Sequence, residues 1–263
     1  PVVRKVSFTG SVPVGKLLAN QAAEDLKRCT LELGGHGPAL VFDDADVESA
    51  ARTLAAFKFR NAGQVCIAPS RFYVHEAVYD AFKACFVEQA RKVVVGSGMD
   101  PDTTMGPMAN RRRVNAMARL KSNALQGGAN LVFEGKTVPE TGYFVAPMVL
   151  EDLHPDAAVL KEEPFGPIAP LVRFREEQDA VTVANSLPYG LAAYVFTGSA
   201  DRARRVAAAV ESGSVAINTV SPAQPETPFG GVKDSGYGYE GGREGIESFM
   251  VKKLVSAPTG FLD

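Results

Sequence analysis

The sequence contains no apolar run near the 18 or so residues that a membrane-spanning helix needs, so no such segment is expected. Its three cysteines, Cys29, Cys66 and Cys85, are widely spaced and include no C-x-x-C pair. That disfavours a disulfide framework or a zinc site and suits a reducing cytoplasm, the expected location. Net charge is almost absent as well: 28 basic residues face 30 acidic ones, and the isoelectric point is about 6.0. No global field therefore points to nucleic acid or a membrane surface as a partner. The one dense basic run, Arg111-Arg112-Arg113, reads as a solvated helix face. Histidine is scarce, and His36, His75 and His154 are each assigned a surface or hydrogen-bonded structural role; a Cys–His hydrolase is disfavoured. There is no internal repeat or low-complexity tract. Pro1-Val2-Val3-Arg4-Lys5 is not a signal-peptide start, and the missing initiator Met suggests a piece of a longer chain.

What is present is the mix of a soluble globular protein, 46% hydrophobic and 22% charged. Short β-branched runs alternate with helical stretches, which predicts an α/β fold with a mostly parallel sheet flanked by helices. Strands are expected at Val2–Phe8, Thr30–Leu33, Pro38–Phe42, Arg71–His75, Asn130–Phe133, Ile168–Phe174, Ala192–Thr197 and Ser214–Asn218. Helices are expected from Ser11 to about Glu24, after Asp43-Asp44-Ala45-Asp46 to about Arg60, and at Ala77–Lys92, Asn110–Gln126, Glu176–Ser186 and Ala200–Ser212. Thr219–Gly242, rich in Pro and Gly, is the longest irregular stretch and, by its length, a functional loop.

Three segments carry chemistry. In Phe8-Thr9-Gly10-Ser11-Val12-Pro13-Val14-Gly15 a strand meets glycine, a hydroxyl and a helix start, a geometry that aims backbone N–H groups at a phosphate. The spacing is G-x-x-x-x-G, and a plain tight turn explains it as well. Glu32, among apolar neighbours in Leu31-Glu32-Leu33-Gly34-Gly35, is either a general base with a raised pKa or an edge residue with its head in water. Cys66 lies in a polar, Gly-containing turn, Asn61-Ala62-Gly63-Gln64-Val65-Cys66-Ile67, whereas Cys85 sits on the apolar stripe Val78, Phe82, Cys85, Phe86. A nucleophilic thiol there calls for an electropositive, partly exposed setting.

Six motifs in order, F-T-G-S (Phe8–Ser11), L-E-L-G-G (Leu31–Gly35), N-A-G-Q-V-C (Asn61–Cys66), E-E-P-F-G-P (Glu162–Pro167), N-x-L-P-Y-G-L (Asn185–Leu191) and P-F-G-G-V-K-x-S-G-x-G (Pro228–Gly238), resemble those of the aldehyde dehydrogenase superfamily across nearly the whole chain. The resemblance implies that Cys66 is the nucleophile that forms a thiohemiacetal and then a thioester. Glu32 would be the base that activates water to hydrolyse it. It implies NAD or NADP as cofactor. Gly10, Ser11 and Gly15 would meet the pyrophosphate, Leu33 would lie near the nicotinamide, Glu163 would bond the nicotinamide-side ribose, and the Phe165 ring would pack near the nicotinamide. Ile67 and Phe229 would line the site of a small aldehyde. The family's Lys after L-E-L-G-G is His36 here, and its Arg in S-G-x-G-R-E is Tyr239; both variants look like branches that oxidise semialdehydes, succinate semialdehyde among them. Ser221, Gln224 and Arg175 are candidates to hold a substrate carboxylate.

The same resemblance divides the chain into 1–34, a remnant of a Rossmann-like cofactor domain; 35–234, the catalytic domain; and 235–263, a C-terminal extension. In the family, Val251–Ser256 forms a strand that joins sheets across subunits, so a homo-oligomer, dimer or tetramer, is expected. Members also carry an N-terminal portion with most of the dinucleotide-binding sheet and an Asn of the oxyanion hole. Loss of one such donor costs about 3 kcal/mol of transition-state stabilisation, so the 263 residues alone are expected to be inactive or nearly so. Two rival readings are a CoA-acylating aldehyde dehydrogenase, for which a water-activating Glu32 has no use, and a non-catalytic domain fragment.

Overall fold

The computed structural model describes residues 2–135 and 139–259. Strand β1 (Lys5–Thr9), helix α1 (Val12–Glu24) and β2 (Arg28–Glu32) form a first crossover unit. A second series follows: β3 (Gly37–Val41), α2 (Val47–Phe59), β4 (Pro69–His75), α3 (Tyr79–Arg91), α4 (Arg111–Gln126), β5 (Asn130–Glu134), β6 (Met148–Glu151), α5 (Ala158–Lys161) and β7 (Ile168–Phe174). The chain continues with α6 (Glu177–Asn185), β8 (Tyr189–Gly190), β9 (Ala192–Phe196), α7 (Ala200–Ala209), β10 (Ser214–Ile217), β11 (Val232–Lys233), β12 (Gly236–Tyr237) and α8 (Gly242–Glu247).

The expected α/β architecture is present. A seven-stranded sheet in the order β10-β9-β3-β4-β7-β6-β5 is parallel except for the β5–β6 pair. Its strands alternate between two cores. In β3, Ala39 and Val41 join the cluster under α2, α3 and α4 with Leu54, Phe72, Phe86 and Met117, while Leu40 packs with Ala184, Val195 and Val206 on the side of α6 and α7. Burial on both faces is what makes these parallel strands read as continuous apolar runs. Asp46, Asn110 and Ser199 cap α2, α4 and α7 by accepting a backbone N–H three residues on.

A separate three-stranded sheet, β1-β2-β12, pairs β1 parallel to β2 and β12 antiparallel to it. The second sheet therefore draws a strand from the stretch expected to be irregular, Thr219–Gly242, which also supplies β11 against β8. Two-residue strands carry no periodicity that a sequence can display. The strand β6 was not foreseen either, being only four residues long and set off by Pro147. Val251–Ser256, expected to be a strand, is irregular and exposed; among the described residues no edge is paired with it, and an isolated strand has nothing to satisfy its backbone groups. Among the described residues no helix is long and apolar enough to cross a membrane.

The two sheets meet end to edge. β2 runs out at Glu32, and the chain re-enters the larger sheet at Gly37, the start of β3. The starts of β3, β4, β7 and β9 lie side by side, since Gly37 pairs with Pro69, Phe72 with Leu171 and Ala39 with Tyr194. β12 is held against β2 by a glycine that no other residue can replace: Gly236 has φ +109°, and a Cβ there would stand 1.9 Å from the Leu31 carbonyl oxygen. Gly236→Ala should therefore destabilise the protein by about 2–4 kcal/mol, seen as a lower urea midpoint. An unchanged midpoint would mean that this pairing does not hold the small sheet together.

Candidate active site

The turn that presents Cys66 is strained and tightly held. After α2 ends, Asn61, Ala62 and Gly63 take positive φ in succession, 51°, 54° and 71°. Only glycine does so without steric cost, and Ala62 carries the largest penalty. Side chains fix the turn: Asn61 Nδ2 donates to the Gln64 carbonyl at 3.0 Å and Gln64 Nε2 to those of Asn61 and Pro107 at 3.1 and 3.2 Å, while Gln64 Oε1 accepts from Ala109 N–H at 2.8 Å. Gly63 is obligatory for a second reason, since a Cβ would stand 2.4 Å from the Gly166 carbonyl oxygen. On the far side of Cys66 the buried Tyr194 hydroxyl donates to the Ile67 carbonyl.

Glu32, the last residue of β2, is 4% exposed, and neither carboxylate oxygen has a hydrogen-bond partner among the described residues. The bland reading, an edge residue with its head in water, is thus excluded. Burial, and behind it the Glu240 carboxylate, pushes its pKa up to about 7. Burial likewise raises Glu163 to about 7, opposed by the Gly35 N–H that bonds its Oε1 at 3.1 Å and by Arg113 and Lys58. The glycines after Glu32 let these groups converge. A Cβ on Gly34 would lie 2.6 Å from Glu163 Oε2, and one on Gly35 2.9 Å from the Cys66 carbonyl oxygen. Phe165 sits in the same loop at φ 43°, a conformation that side chains rarely adopt.

Cys66, Glu32 and Glu163 are thereby brought together from three separate segments, but the setting of the thiol differs from the expected electropositive one. Burial raises the Cys66 pKa, and the carboxylates of Glu163 and then Glu32 push in the same direction. Only the backbone N–H groups of Ile67 and Cys66 itself pull it back. Arg111-Arg112-Arg113 also departs from its reading as a solvated face, because Arg113 is half-buried and donates to the Pro164 carbonyl. Arg175 pairs with Glu76 at 2.7 Å beyond the C-terminal end of β7, the end away from Cys66, and Gln224 and Ser221 bond each other within an exposed loop. Of the cofactor residues, Gly10 and Ser11 lie exposed between β1 and α1, whose first turn holds no acidic side chain. Gly15 is instead buried under Leu33, whose Cδ atoms lie 2.5 Å from where its Cβ would be. Leu33 N–H bonds the Ser235 carbonyl at 3.0 Å. Ile67 and Phe229 are partly buried, and Phe229 exchanges two backbone bonds of 2.8 Å with Glu240.

Residue types alone concealed three participants. Ser235, fully buried, donates to the Gly34 carbonyl at 2.7 Å and accepts from Gly190 N–H at 3.0 Å, fastening the glycine turn to β8. Lys58 and Arg113 flank Glu163; the only sign of Lys58 in the sequence is a cation between Phe57 and Phe59. His36 is the structural residue expected. Its ring is buried between Ser70 Oγ at 2.7 Å and the Val159 carbonyl at 3.1 Å, and burial with the nearby Arg71 and Lys58 keeps it neutral.

A family model described as "Aldehyde dehydrogenase family" matches residues 1–255. The 4-(hydroxymethyl)benzenesulfonate dehydrogenase of Comamonas testosteroni is 50% identical over 256 residues, 97% of this chain and 53% of that protein. The NADP-dependent succinate-semialdehyde dehydrogenase of Escherichia coli is 44% identical over 255 residues, 97% and 53%. A crystal structure of succinate-semialdehyde dehydrogenase from Burkholderia pseudomallei superposes with a TM-score of 0.92 at 46% identity, covering 95% of this chain and 52% of that one. The chain spans about half the length of the relatives it matches.

Iodoacetamide reads the thiolate, so Cys66 should label slowly near neutral pH and faster as the pH rises. Glu32→Gln removes one of the two repelling carboxylates and should move that profile to lower pH. An identical profile in the variant would show that the Glu32 charge does not reach the thiol.

Proposed function

Because the chain belongs to the aldehyde dehydrogenase family, we propose that it supplies the nucleophile and the general base for NAD(P)-dependent oxidation of an aldehyde to a carboxylic acid. The observation that carries the reading is the convergence of Cys66 with Glu32, a carboxyl group held at about 7 and left without a hydrogen-bond partner among the described residues. Cys66 Sγ adds to the aldehyde carbon as its proton passes to the carbonyl oxygen, and the thiohemiacetal that forms gives up a hydride and its hydroxyl proton to become a thioester. NAD or NADP, when bound, supplies the hydride acceptor. Glu32 then takes a proton from the attacking water, the thioester C–S bond breaks, and Cys66 leaves as the thiolate. A base with a pKa near the working pH is the most effective for this step.

The residues present suit the nicotinamide half of the cofactor. Glu163 keeps a carboxylate beside the glycine turn with one protein hydrogen bond, to Gly35, which leaves acceptor capacity for ribose hydroxyls. Phe165 and Leu33 offer apolar surface that excludes water, and the N–H of Ser11 suits a pyrophosphate, that of Gly10 being bonded to the Glu32 carbonyl at 3.0 Å. Residues 1–34 read as a remnant of the cofactor domain, supported by β1 and β2 lying outside the seven-stranded sheet, with 35–234 catalytic and 235–263 an extension that adds β12 to them. The exposed Val251, Leu254 and Val255 suit a strand added to a second copy in a homo-oligomer.

The substrate is read as an aldehyde with an anionic group at its far end, succinate semialdehyde among them, since the two named relatives carry a carboxylate or a sulfonate in the names of their substrates. Arg60 fits that group. It follows α2 six residues before Cys66, and its side chain is exposed with no ion pair among the described residues.

In an active enzyme carrying this chain, Glu32→Gln should permit one stoichiometric burst of NAD(P)H and then stall, with kcat lowered about 10²- to 10⁴-fold. A steady state close to wild type would remove Glu32 from the mechanism, and CoA-dependent release of the acyl group would favour the acylating alternative. Arg60→Ala should raise KM for succinate semialdehyde about tenfold while sparing a neutral aldehyde. Equal effects on both substrates would refute the role of Arg60.

A further inference from the structure

Cys66 and Ile67 are the central residues of a tight turn that the Ala68 N–H closes on the Val65 carbonyl at 2.9 Å, just before β4 begins. Among the described residues one side chain bonds the main chain of this turn: the Tyr194 hydroxyl donates to the Ile67 carbonyl. Tyr194 stands two strands away. It lies on β9, which pairs with β3, and β3 pairs with β4, so the phenol crosses the start of β3 to reach a residue that leads into β4. What it crosses is small: Tyr194 pairs with Ala39, and a Cβ on Gly37 would lie 3.7 Å from Tyr194 Cε2. The ring is set edge-on against Phe57 of α2, with 6.1 Å between centroids, and the residue is fully buried.

Packing alone does not account for the phenol oxygen, because phenylalanine would fill the same apolar cluster without a polar group to satisfy. Burial, and behind it Cys66, keeps the hydroxyl protonated and therefore a donor. Its one acceptor among the described residues is the Ile67 carbonyl. The other carbonyls of the turn are held differently, that of Val65 by Ala68 and that of Cys66 by close approach to bare Gly35. Asn61 and Gln64 secure the chain before the turn, and β4 secures it after.

We propose that Tyr194 is a positioning residue for Cys66. By holding the Ile67 carbonyl it fixes the turn, and with it the direction in which Sγ leaves the main chain. The inference rests on the nucleophilic role of Cys66 for its purpose. Attack on a carbonyl carbon needs the sulfur about 3–3.5 Å away and aligned, and a displacement of about 1 Å can cost a hundredfold in rate. A donor fixed in the core of the larger sheet supplies that precision to a turn that has only one main-chain bond of its own.

Tyr194→Phe removes the donor and keeps the ring. In an active enzyme carrying this chain it should slow the NAD(P)H burst and lower kcat about 10- to 100-fold, with the aldehyde KM and NAD(P)H affinity within about twofold of wild type. Placing 4-aminophenylalanine at the same position restores a donor and should recover most of the loss, which a packing role does not predict. A burst within about twofold of wild type, or an amino variant no faster than Tyr194→Phe, overturns the inference. Should the Phe variant not fold, 4-methylphenylalanine, which has the outline of tyrosine and no donor, takes its place in the comparison.

Amide exchange in the 263-residue chain reads the turn without turnover. The Ala68 N–H should exchange about tenfold faster in Tyr194→Phe, while the Leu54 N–H within α2 keeps its wild-type rate. Unchanged exchange at Ala68, or equal acceleration at Leu54, overturns the inference. Full turnover by Cys66→Ala would overturn the nucleophilic role instead, and the exchange rates would then still judge the hold of Tyr194 on the turn.

Discussion

A Cβ on Gly34 would stand 2.6 Å from a carboxylate oxygen of Glu163, and one on Gly35 2.9 Å from the Cys66 carbonyl oxygen. Every other feature of the site depends on this contact of bare backbone with two foreign segments. It lets the end of β2 reach Cys66, it gives Glu163 its N–H donor from Gly35, and it places the Gly34 carbonyl where Ser235 can bond it. A methyl group at either position would force a carboxylate or a main-chain carbonyl aside, and neither can move without disturbing Cys66 or Glu163. The glycines therefore act chiefly by what they do not fill. Gly63 and Gly236 serve in the same way on neighbouring faces, against Gly166 and Leu31.

Convergence has an electrostatic cost that the site spreads over several groups. Three ionisable side chains with anionic forms, Glu32, Glu163 and Cys66, are crowded into a poorly solvated region, and each is pushed towards its neutral form. Like charges in low dielectric cannot all be expressed at once. The thiol therefore rests protonated while the carboxyls sit near 7, each able to take or release a proton at little expense. A thiolate stabilised in advance would be a weaker nucleophile and a better leaving group, because nucleophilicity falls with pKa. The N–H groups of Cys66 and Ile67 pull the other way, so a thiolate formed here would keep the high nucleophilicity of a weakly acidic thiol.

Much of this was legible in the sequence, for identifiable reasons. The family resemblance carried by L-E-L-G-G and N-A-G-Q-V-C singled out Glu32 and Cys66, two residues that the fold brings to one place. The long parallel strands β4 and β7 announced themselves by apolar runs. Ser235, Lys58 and Arg113 did not, because their roles depend on what packs against them and not on their own type. Arg113 looked like one of three solvated arginines until the loop at Pro164 covered it. The expected setting of Cys66 failed for a related reason: the groups nearest the thiol come from residues 32 and 163, and sequence distance hides their sign. The strand expected at Val251–Ser256 is absent, since nothing among the described residues pairs with it.

The position of the site in the fold then follows from the topology. Open parallel α/β sheets as a rule place their ligands beyond the carboxyl ends of the strands. Here the larger sheet contributes the opposite edge: Gly35, Cys66, Phe165 and Leu191 all precede strands β3, β4, β7 and β9. The smaller sheet contributes its carboxyl edge in the ordinary way, through Thr9, Gly10 and Glu32. The site is the seam between the carboxyl edge of one sheet and the amino edge of another, crossed by the chain itself from Glu32 to Gly37. Segments that enter strands are anchored directly by the sheet that follows them, so Cys66 is two residues from Ala68 and the ladder beyond it. That anchoring sustains the left-handed backbone at Asn61, Ala62 and Phe165, which an untethered loop would relax. Arg175, which follows the last residue of β7, lies about 20 Å from this seam by strand length alone. The anionic substrate proposed above would therefore be met by residues that lead into strands, the position that Arg60 holds on the approach to Cys66.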